Sequence, residues 1–489
     1  MKILDRLLRT PPKNKGYSNH GASRIKKSMI GWLADSGSPD EDITDNLPLL
    51  RKRSRDLYMG GSPIATGALK TLRTNVVGAG LRPKPHLARD VLGLDDETAA
   101  NLERQIEQEF NLWGESKDCD ASRMNDFYEL QQLVFLSQLM SGEVFVLLPY
   151  ITRSGPYGLK VQIIESDLVW SNDSRIKGGI ERGEFGEPTY YHVHTTGQNY
   201  LGGGGKTKRI RAYGRKTGQP NILHIMESER PGQVRGVPIL SPVIESVKQL
   251  GRYQDAELMA AVVSAMYSLF ITSDVEAGPA TSFGESIPDA MQVDQEDDYS
   301  YELGNGSIMA LAPGEKVQEA NPGRPNTAFD GFVQAMCRQI GAALEIPKEL
   351  LLKEFNSSYS ASRASLLEAW KMFKMRRSWL VSDFCQPVYE QWFFEAVAKG
   401  RIQAPGFFSD PMIRKAYMTC EWSGPTQGQI DPLKEVNAAA RRVEEGFSTR
   451  QKETVELTGG DYENNMRQIK KEEKLLQEVR TNEADTNQR

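Results

Sequence analysis

The chain is poor in the features on which secreted, metal-bound and membrane-spanning proteins rest. Four cysteines occur in 489 residues (Cys119, Cys337, Cys385, Cys420), and no two form a C-x-x-C pair. That spacing excludes a disulfide framework and a zinc knuckle, and free buried thiols in a reducing compartment are expected. Apolar runs are short as well. The longest, Leu258 to Ile271, is broken by Ser264, Tyr267 and Ser268, and falls short of the ~20 residues needed to cross a bilayer. The opening Met1-Lys2-Ile3-Leu4-Asp5-Arg6 has no apolar core of signal-peptide length. A soluble protein with no membrane partner is expected. Nor is there an excess of positive charge: 60 Lys and Arg stand against 65 Asp and Glu, a net charge of −5. Sequence-independent DNA binding draws most of its affinity from phosphate neutralisation, so tight binding over the whole surface is disfavoured. Local contacts stay open.

Catalytic signatures are equally scarce. There are five histidines, no G-x-S-x-G elbow and no H-E-x-x-H pair. His192 and His194 lie two apart on an expected strand and so face one side, but no third ligand is indicated by spacing. Leu201-Gly-Gly-Gly-Gly-Lys206-Thr207 imitates a phosphate loop, yet position 200 is Tyr where the pattern needs Gly. Downstream come Lys206, Lys208, Arg209, Arg211, Arg215 and Lys216, not an apolar helix whose N-terminus would receive phosphate. A hairpin tip is the reading, with a basic patch for nucleic acid or an acidic partner as its alternative. Glu296-Asp297-Asp298 is contiguous, as in solvated charge, whereas a two-metal nuclease gathers carboxylates from separate elements. No enzyme, cofactor or metal site is expected.

What is present is helical pattern interrupted by one β-rich section. A hydrophobic content of 39% is enough for most of the chain to fold, and the length predicts two to four units. Residues 1–50, with Pro11-Pro12 and an acidic patch from Asp40 to Asp45, read as a flexible arm. Ser62-Pro63 is a cap followed by proline at the first helical position, and Gly78 closes that helix. Ala99, Leu102, Ile106, Phe110 and Trp113 mark a second helix to Gly114, and a third runs from about Asn125 to Gly142. Val144–Tyr150, Leu159–Val169, Arg175–Thr196 and Ile222–Met226 read as strands. A long helix is predicted from Ser241 to Phe270. Asp274 to Glu302 holds nine acidic residues and no Lys or Arg, as in a mobile loop. Ser307–Leu311 and Val317–Ala320 bracket Pro313-Gly314 as a hairpin, and the next helix is predicted from Thr327 to Leu344. Beyond a polar loop, another long helix meets Pro387, and Asp431-Pro432 opens a charged helical end.

Four segments carry a resemblance. Arg53-Ser-Arg-Asp-Leu-Tyr58 with Asn75-Val-Val-Gly-Ala-Gly-Leu81, and Pro231-Gly-Gln-Val-Arg-Gly-Val-Pro238, are the first two. Asn356-Ser-Ser-Tyr-Ser-Ala-Ser-Arg-Ala-Ser365 and Trp422-Ser-Gly-Pro-Thr-Gln-Gly-Gln-Ile-Asp-Pro-Leu-Lys-Glu435 are the others. In this order they resemble lambda-like bacteriophage portal proteins, from about residue 50 to 480.

The resemblance implies an α+β, mainly helical portal fold in a dodecameric ring. One capsid vertex would hold the ring, and double-stranded DNA would be packaged and ejected through its channel. Its parts would be an arm (1–50), a wing with the β-rich subdomain (51–240), and a first stem helix (241–271). A clip (272–326), a second stem helix (327–347) and a tunnel loop (348–360) would come next. The wing return (361–428) and a crown with a polar tail (429–489) would complete it. Implied partners are the terminase large subunit, major capsid and scaffold proteins, and head-completion or adaptor proteins. The location would be the virion, with assembly in the host cytoplasm. Lys353, Glu354, Phe355, Asn356, Ser357, Ser358 and Tyr359 would form the tunnel loop. Lys353 and Lys348 are the first basic side chains to consider for guiding DNA; Arg376 and Arg377 are weighed evenly between DNA and ion pairing with the next subunit. Two rivals stand beside this reading: a packaging ATPase or nuclease subunit, and a head–tail adaptor or minor capsid protein with no DNA channel.

Overall fold

A computed structural model of the chain describes residues 27–29, 31–32, 34–153, 155–195, 206–265, 269–273, 315–319, 328–355, 358–428 and 431–486. The Gly202–Gly205 run, the acidic stretch from Asp274 to Glu302, the Ser307–Leu311 half of the expected hairpin, Asn356 and Ser357 lie outside the described residues.

Local chemistry accounts for most element boundaries. Helix α1 (Leu47–Asp56) comes after a helical turn over Asp40–Thr44. That turn lies in the expected arm, and it is tied down: Asp40 pairs with Arg182 at 2.8 Å and Asp42 with Arg230 at 2.5 Å. Helix α2 (Pro63–Val76) starts at the predicted proline and ends before Gly78, where φ is +59°. Strand β1 (Arg82–Pro85) leads to helix α3 (Asp96–Gly114), capped by Asp95, whose side chain accepts the Thr98 N–H. Helix α4 (Phe127–Ser141) opens with a reciprocal Asp126–Glu129 box and stops at left-handed Gly142. Strands β2 (Glu143–Leu147), β3 (Gln162–Ile164), β4 (Ile180–Arg182), β5 (Pro188–Thr195), β6 (Lys206–Arg211) and β7 (Ile222–Met226) form the β-rich section. Strand β3 is shorter than predicted because a 3₁₀ turn takes Ser166–Leu168.

The long helix predicted to Phe270 is shorter as well. Helix α5 spans Ile244–Ala265, and Leu269–Ser273 is strand β8. Strand β9 (Glu315–Glu319) pairs antiparallel with β8, Leu269 opposite Glu319 and Ser273 opposite Glu315. Val317 therefore pairs with Ile271. Pairing with β9 holds Leu269–Ser273 as a strand. Helix α6 (Phe329–Ala343), the short α7 (Lys348–Leu352) and α8 (Tyr359–Leu380) come next. A π turn over Val381–Cys385 leads into α9 (Gln386–Ala398). It lies just ahead of Pro387, where the missing N–H breaks the regular ladder. The chain ends through α10 (Pro411–Tyr417), β10 (Cys420–Ser423), α11 (Pro432–Glu444), α12 (Arg450–Thr458) and α13 (Tyr462–Thr486).

Two compact units divide the chain. The larger comprises Met1–Met59, Leu69–Ser241 and Trp370–Arg489. Its main core is aromatic: Phe110 meets Trp392 edge-on at 5.0 Å, and Phe127 stacks on Phe384 at 5.6 Å. Strands β1 and β10 pair antiparallel beside it. A second core, with Phe145, Ile180, Tyr191, Val193 and Ile222, is drawn from the two three-stranded sheets, ordered β3-β2-β7 and β4-β5-β6. The smaller unit comprises Gly60–Ala68 and Pro242–Ala369. Within it α5 meets α6 through Tyr253, whose ring lies 5.7 Å from Phe329 and 4.7 Å from Phe332.

Candidate functional site

The segment singled out by sequence is a one-turn helix, an exposed bend and the start of a long helix. Pro347 precedes α7 in extended conformation, and Lys348 is its half-buried first residue. Lys353 ends α7 in the left-handed region at φ 56°, its N–H donating to the Glu349 carbonyl. That conformation costs a side-chain-bearing residue ~1–2 kcal/mol relative to the right-handed one. Glu354 N–H donates to the same carbonyl at 3.0 Å. Lys353, Glu354, Phe355 and Ser358 are exposed, Phe355 to 53%. Ser358 Oγ accepts the Ala361 N–H at 3.4 Å, and Tyr359 begins α8. The bend thus presents Lys353 and Phe355 between two fixed helix ends.

Arg376 and Arg377 sit elsewhere, inside the larger unit. Arg376 is 6% exposed and donates to Glu227 Oε2 at 2.7 Å. Arg377 Nε donates to Val76 O at 2.9 Å, and its Nη2 donates to Asn75 O at 3.0 Å and Pro425 O at 2.9 Å. Its guanidinium also lies 5.5 Å from the Trp370 ring centroid. Burial pulls Arg377 down to about 10, so it stays charged at neutral pH. The guanidinium closes the carboxyl end of α2, where a cation complements both open carbonyls and the helix dipole. Two of the segments behind the sequence resemblance, 75–81 and 422–435, therefore meet at one side chain. Gly424 permits the contact: a Cβ there would lie 2.5 Å from Leu81 Cδ2 and 3.0 Å from Arg377 Nε. Both arginines have structural work within the chain.

A second convergence is not legible in the spacing. Glu143 is fully buried at the start of β2 and accepts from Arg51, from Arg235 Nε at 2.6 Å and from the Gly236 N–H at 2.8 Å. His224 Nε2 lies 2.8 Å from Glu143 Oε2, and the imidazole stacks on Phe145 at 4.3 Å. Burial pushes this carboxyl up, but Arg235, His224 and Arg51 outweigh it and hold it well below the usual carboxylate range. Arg235 also donates to the Val169, Gly178 and Ser166 carbonyls, at 2.9, 2.5 and 2.9 Å. The backbones of Gly142 and Gly236 touch here; a Cβ on Gly236 would stand 2.0 Å from Gly142 O. The one sequence signal is a glutamate heading an apolar strand, Glu143-Val-Phe-Val-Leu147.

The remaining candidates have plain partners. His192 Nε2 lies 2.7 Å from Glu181, and His194 stacks on Trp170 at 3.8 Å. Among the described residues no group of three or more His, Cys, Asp or Glu is arranged to hold a metal. All four cysteines are free, and burial pushes each thiol up. Among the described residues no helix is long and apolar enough to cross a membrane.

Buried clamps thus tie distant segments of the chain together. Residues 26–377 match the family of phage portal proteins of the lambda type, and the chain belongs to that family. It is 25% identical over 472 residues to portal protein B of Escherichia phage lambda, covering 92% of this chain and 87% of that one. The portal protein of Escherichia phage N15 is 26% identical over 471 residues, covering 92% and 88%. Among solved structures, the neck of a native gene transfer agent particle computed with C12 symmetry matches at a TM-score of 0.45. That match is 14% identical and covers 83% of this chain and 92% of the other.

Proposed function

We propose that twelve copies form a ring at one capsid vertex, and that double-stranded DNA passes through its channel at packaging and ejection. The observation that carries this is the uncovered face of α5. Leu258 is 65% exposed, Met259 61% and Val262 41%, at spacings that put them on one side of the helix. An apolar stripe of this kind is covered by neighbouring copies in a closed ring. In this reading α5 and α6 are the stem, the segment between β8 and β9 contributes to the clip, and residues 348–360 are the tunnel loop. Residues 51–240 and the return after 361 form the wing, and the helices from α11 onward the crown. The clip docks the terminase large subunit and later the head-completion or adaptor proteins, and capsid and scaffold proteins surround the ring. The location is the virion, after assembly in the host cytoplasm.

Charge supports passage over retention. Twelve copies at −5 each carry −60, and an acidic conduit does not brake a polyanion. Lys353 is exposed on the tunnel bend and is the first candidate to guide DNA, with Lys348 second. Lys353→Ala should alter packaging or DNA retention while rings still assemble; unchanged packaging removes it. Electron microscopy with native mass spectrometry tests the reading as a whole. Rings of about twelve copies with a central hole support it. A compact assembly without a hole overturns it in favour of a head–tail adaptor or minor capsid protein.

A further inference from the structure

The β-rich subdomain pairs its arginines with care, except in one place. Arg175 binds Asp173, Arg182 binds Asp40, Arg209 binds Glu181, Arg230 binds Asp42 and Arg235 binds Glu143. Lys208, Arg211, Arg215 and Lys216 are exposed and form no ion pair within the described residues. They belong to the edge strand β6 and to the turn after it, closed by Gly214 N–H to Gln219 O at 2.8 Å and Gly218 N–H to Gly214 O at 3.0 Å. From Lys206 to Lys216 there are six cations and no acid. Three carboxylates lie nearby in sequence on β4 and its turn. Glu181 is held by Arg209 at 2.7 Å on both oxygens, and Glu187 accepts the Phe185 N–H of its own turn; Glu184 is the third.

We propose that this hairpin, Lys208 to Gly218, is a docking site for the phosphate backbone of nucleic acid, separate in sequence from the segment assigned to the channel. An edge strand needs only a charge or two to resist pairing with another sheet, which Lys208 and Arg211 supply, so Arg215 and Lys216 on the turn exceed that use. The side chains choose between phosphate and protein. Ile210 and Ala212 pack into the subdomain core, which leaves Thr207, Lys208, Arg209, Arg211, Tyr213, Arg215 and Lys216 exposed; five of these seven are cationic, and Tyr213 is the one ring among them. Protein interfaces centre on apolar anchors, whereas nucleic-acid interfaces are polar and strongly positive. Arg209 stacks on Tyr190 at 3.5 Å from the ring centroid while it donates twice to Glu181, so it braces the face beside Arg211. The inference does not depend on the ring reading, because the hairpin stands on its own geometry.

The test measures binding of a fluorescent duplex of about 30 base pairs to the intact purified protein, as salt rises from about 50 to 200 mM. R211Q/R215Q/K216Q should lower the slope of log K against log salt by about 2.7, at ~0.9 for each phosphate no longer neutralised. At low salt its binding should be weaker by about tenfold or more. K208Q/K216Q, the milder variant, should lower the slope by about 1.8. K117Q, at an exposed lysine far in sequence from both the hairpin and the tunnel bend, should leave the slope within about one of the parent, the share of a single phosphate. Equal elution volume and melting temperature establish that each variant is folded. An unchanged slope in both hairpin variants overturns the proposal, as does a drop with K117Q equal to that of the triple variant. Poly-glutamate serves as the protein-like competitor. If the triple variant loses poly-glutamate and keeps DNA, the hairpin takes an acidic protein and the proposal falls.

Discussion

Replacing Glu143 by glutamine removes one charge from the centre of the buried cluster and almost no volume. Arg51, Arg235 and His224 then face a neutral amide, and its NH₂ adds a donor where only acceptors are wanted. Breaking a buried pair by removing one partner costs ~3–5 kcal/mol, because the charge left behind cannot be hydrated. Unfolding entropy near 2.1 cal/mol/K per residue over roughly 300 folded residues makes each kcal/mol worth about 1.6 °C. Glu143→Gln should therefore lower the melting temperature of the larger unit by about 5–8 °C at pH 7. Replacing Arg51 and Arg235 by methionine in the same background should recover part of the deficit, with a coupling of at least ~1 kcal/mol. The pH profile adds a sign. Glu143 titrates lower folded than unfolded, so below the usual glutamate value of about 4.3 the unfolded chain binds the extra proton. The cluster's contribution is complete above that pH and drains away as pH falls toward the depressed folded value. Glu143→Gln should flatten this acid limb. Differential scanning calorimetry from neutral to acid pH reads both effects. A shift under about 1 °C, or strict additivity with the arginine replacements, would refute the reasoning.

Other expectations rest on single contacts. Gly142→Ala should destabilise by more than ~2 kcal/mol, since φ is +86° and the new Cβ would meet Val237 C and Gly236 O; an unchanged denaturation midpoint would contradict the close approach. Arg377→Lys should cost about 2–3 kcal/mol, because one ammonium cannot reach three carbonyls spread over two segments; the same denaturation curve reads it. Cys119 and Cys385 should resist thiol reagents in the native protein and react at once in denaturant, and fast native labelling of either would show that its burial is wrong.

Legibility in the sequence tracks the range of the interaction. Helix α4 can be read at both ends because Asp126, Glu129 and Gly142 each act on backbone a few residues away. The Ser62-Pro63 start and the Gly78 stop of α2 are local in the same way. The end of α5 is not legible, because Leu258–Ile271 fits a buried helix and a strand equally well, and only the partner β9 decides. The Asp40–Thr44 turn looks like disordered acid because its partners Arg182 and Arg230 are far away in sequence. Glu143 with Arg51 and Arg235, and Arg377 with Asn75 and Pro425, are hidden for that reason. Of the candidate site, the bend after α7 is legible from its polar composition. The commitment of Arg376 and Arg377 to the interior is not, because a basic pair on a helix reads the same whether it faces solvent or carbonyls.

The β8–β9 ladder brings Ser273 and Glu315 side by side, so the chain departs and returns at one doorway. Whatever is spliced between those two positions leaves α5 and α6 with the same anchor. Doubling such an insert costs only ~0.6 kcal/mol in closure entropy. Evolution can therefore trade the cassette wholesale, lengthening it, recharging it or fitting it to a new partner, without renegotiating the two helices that carry it.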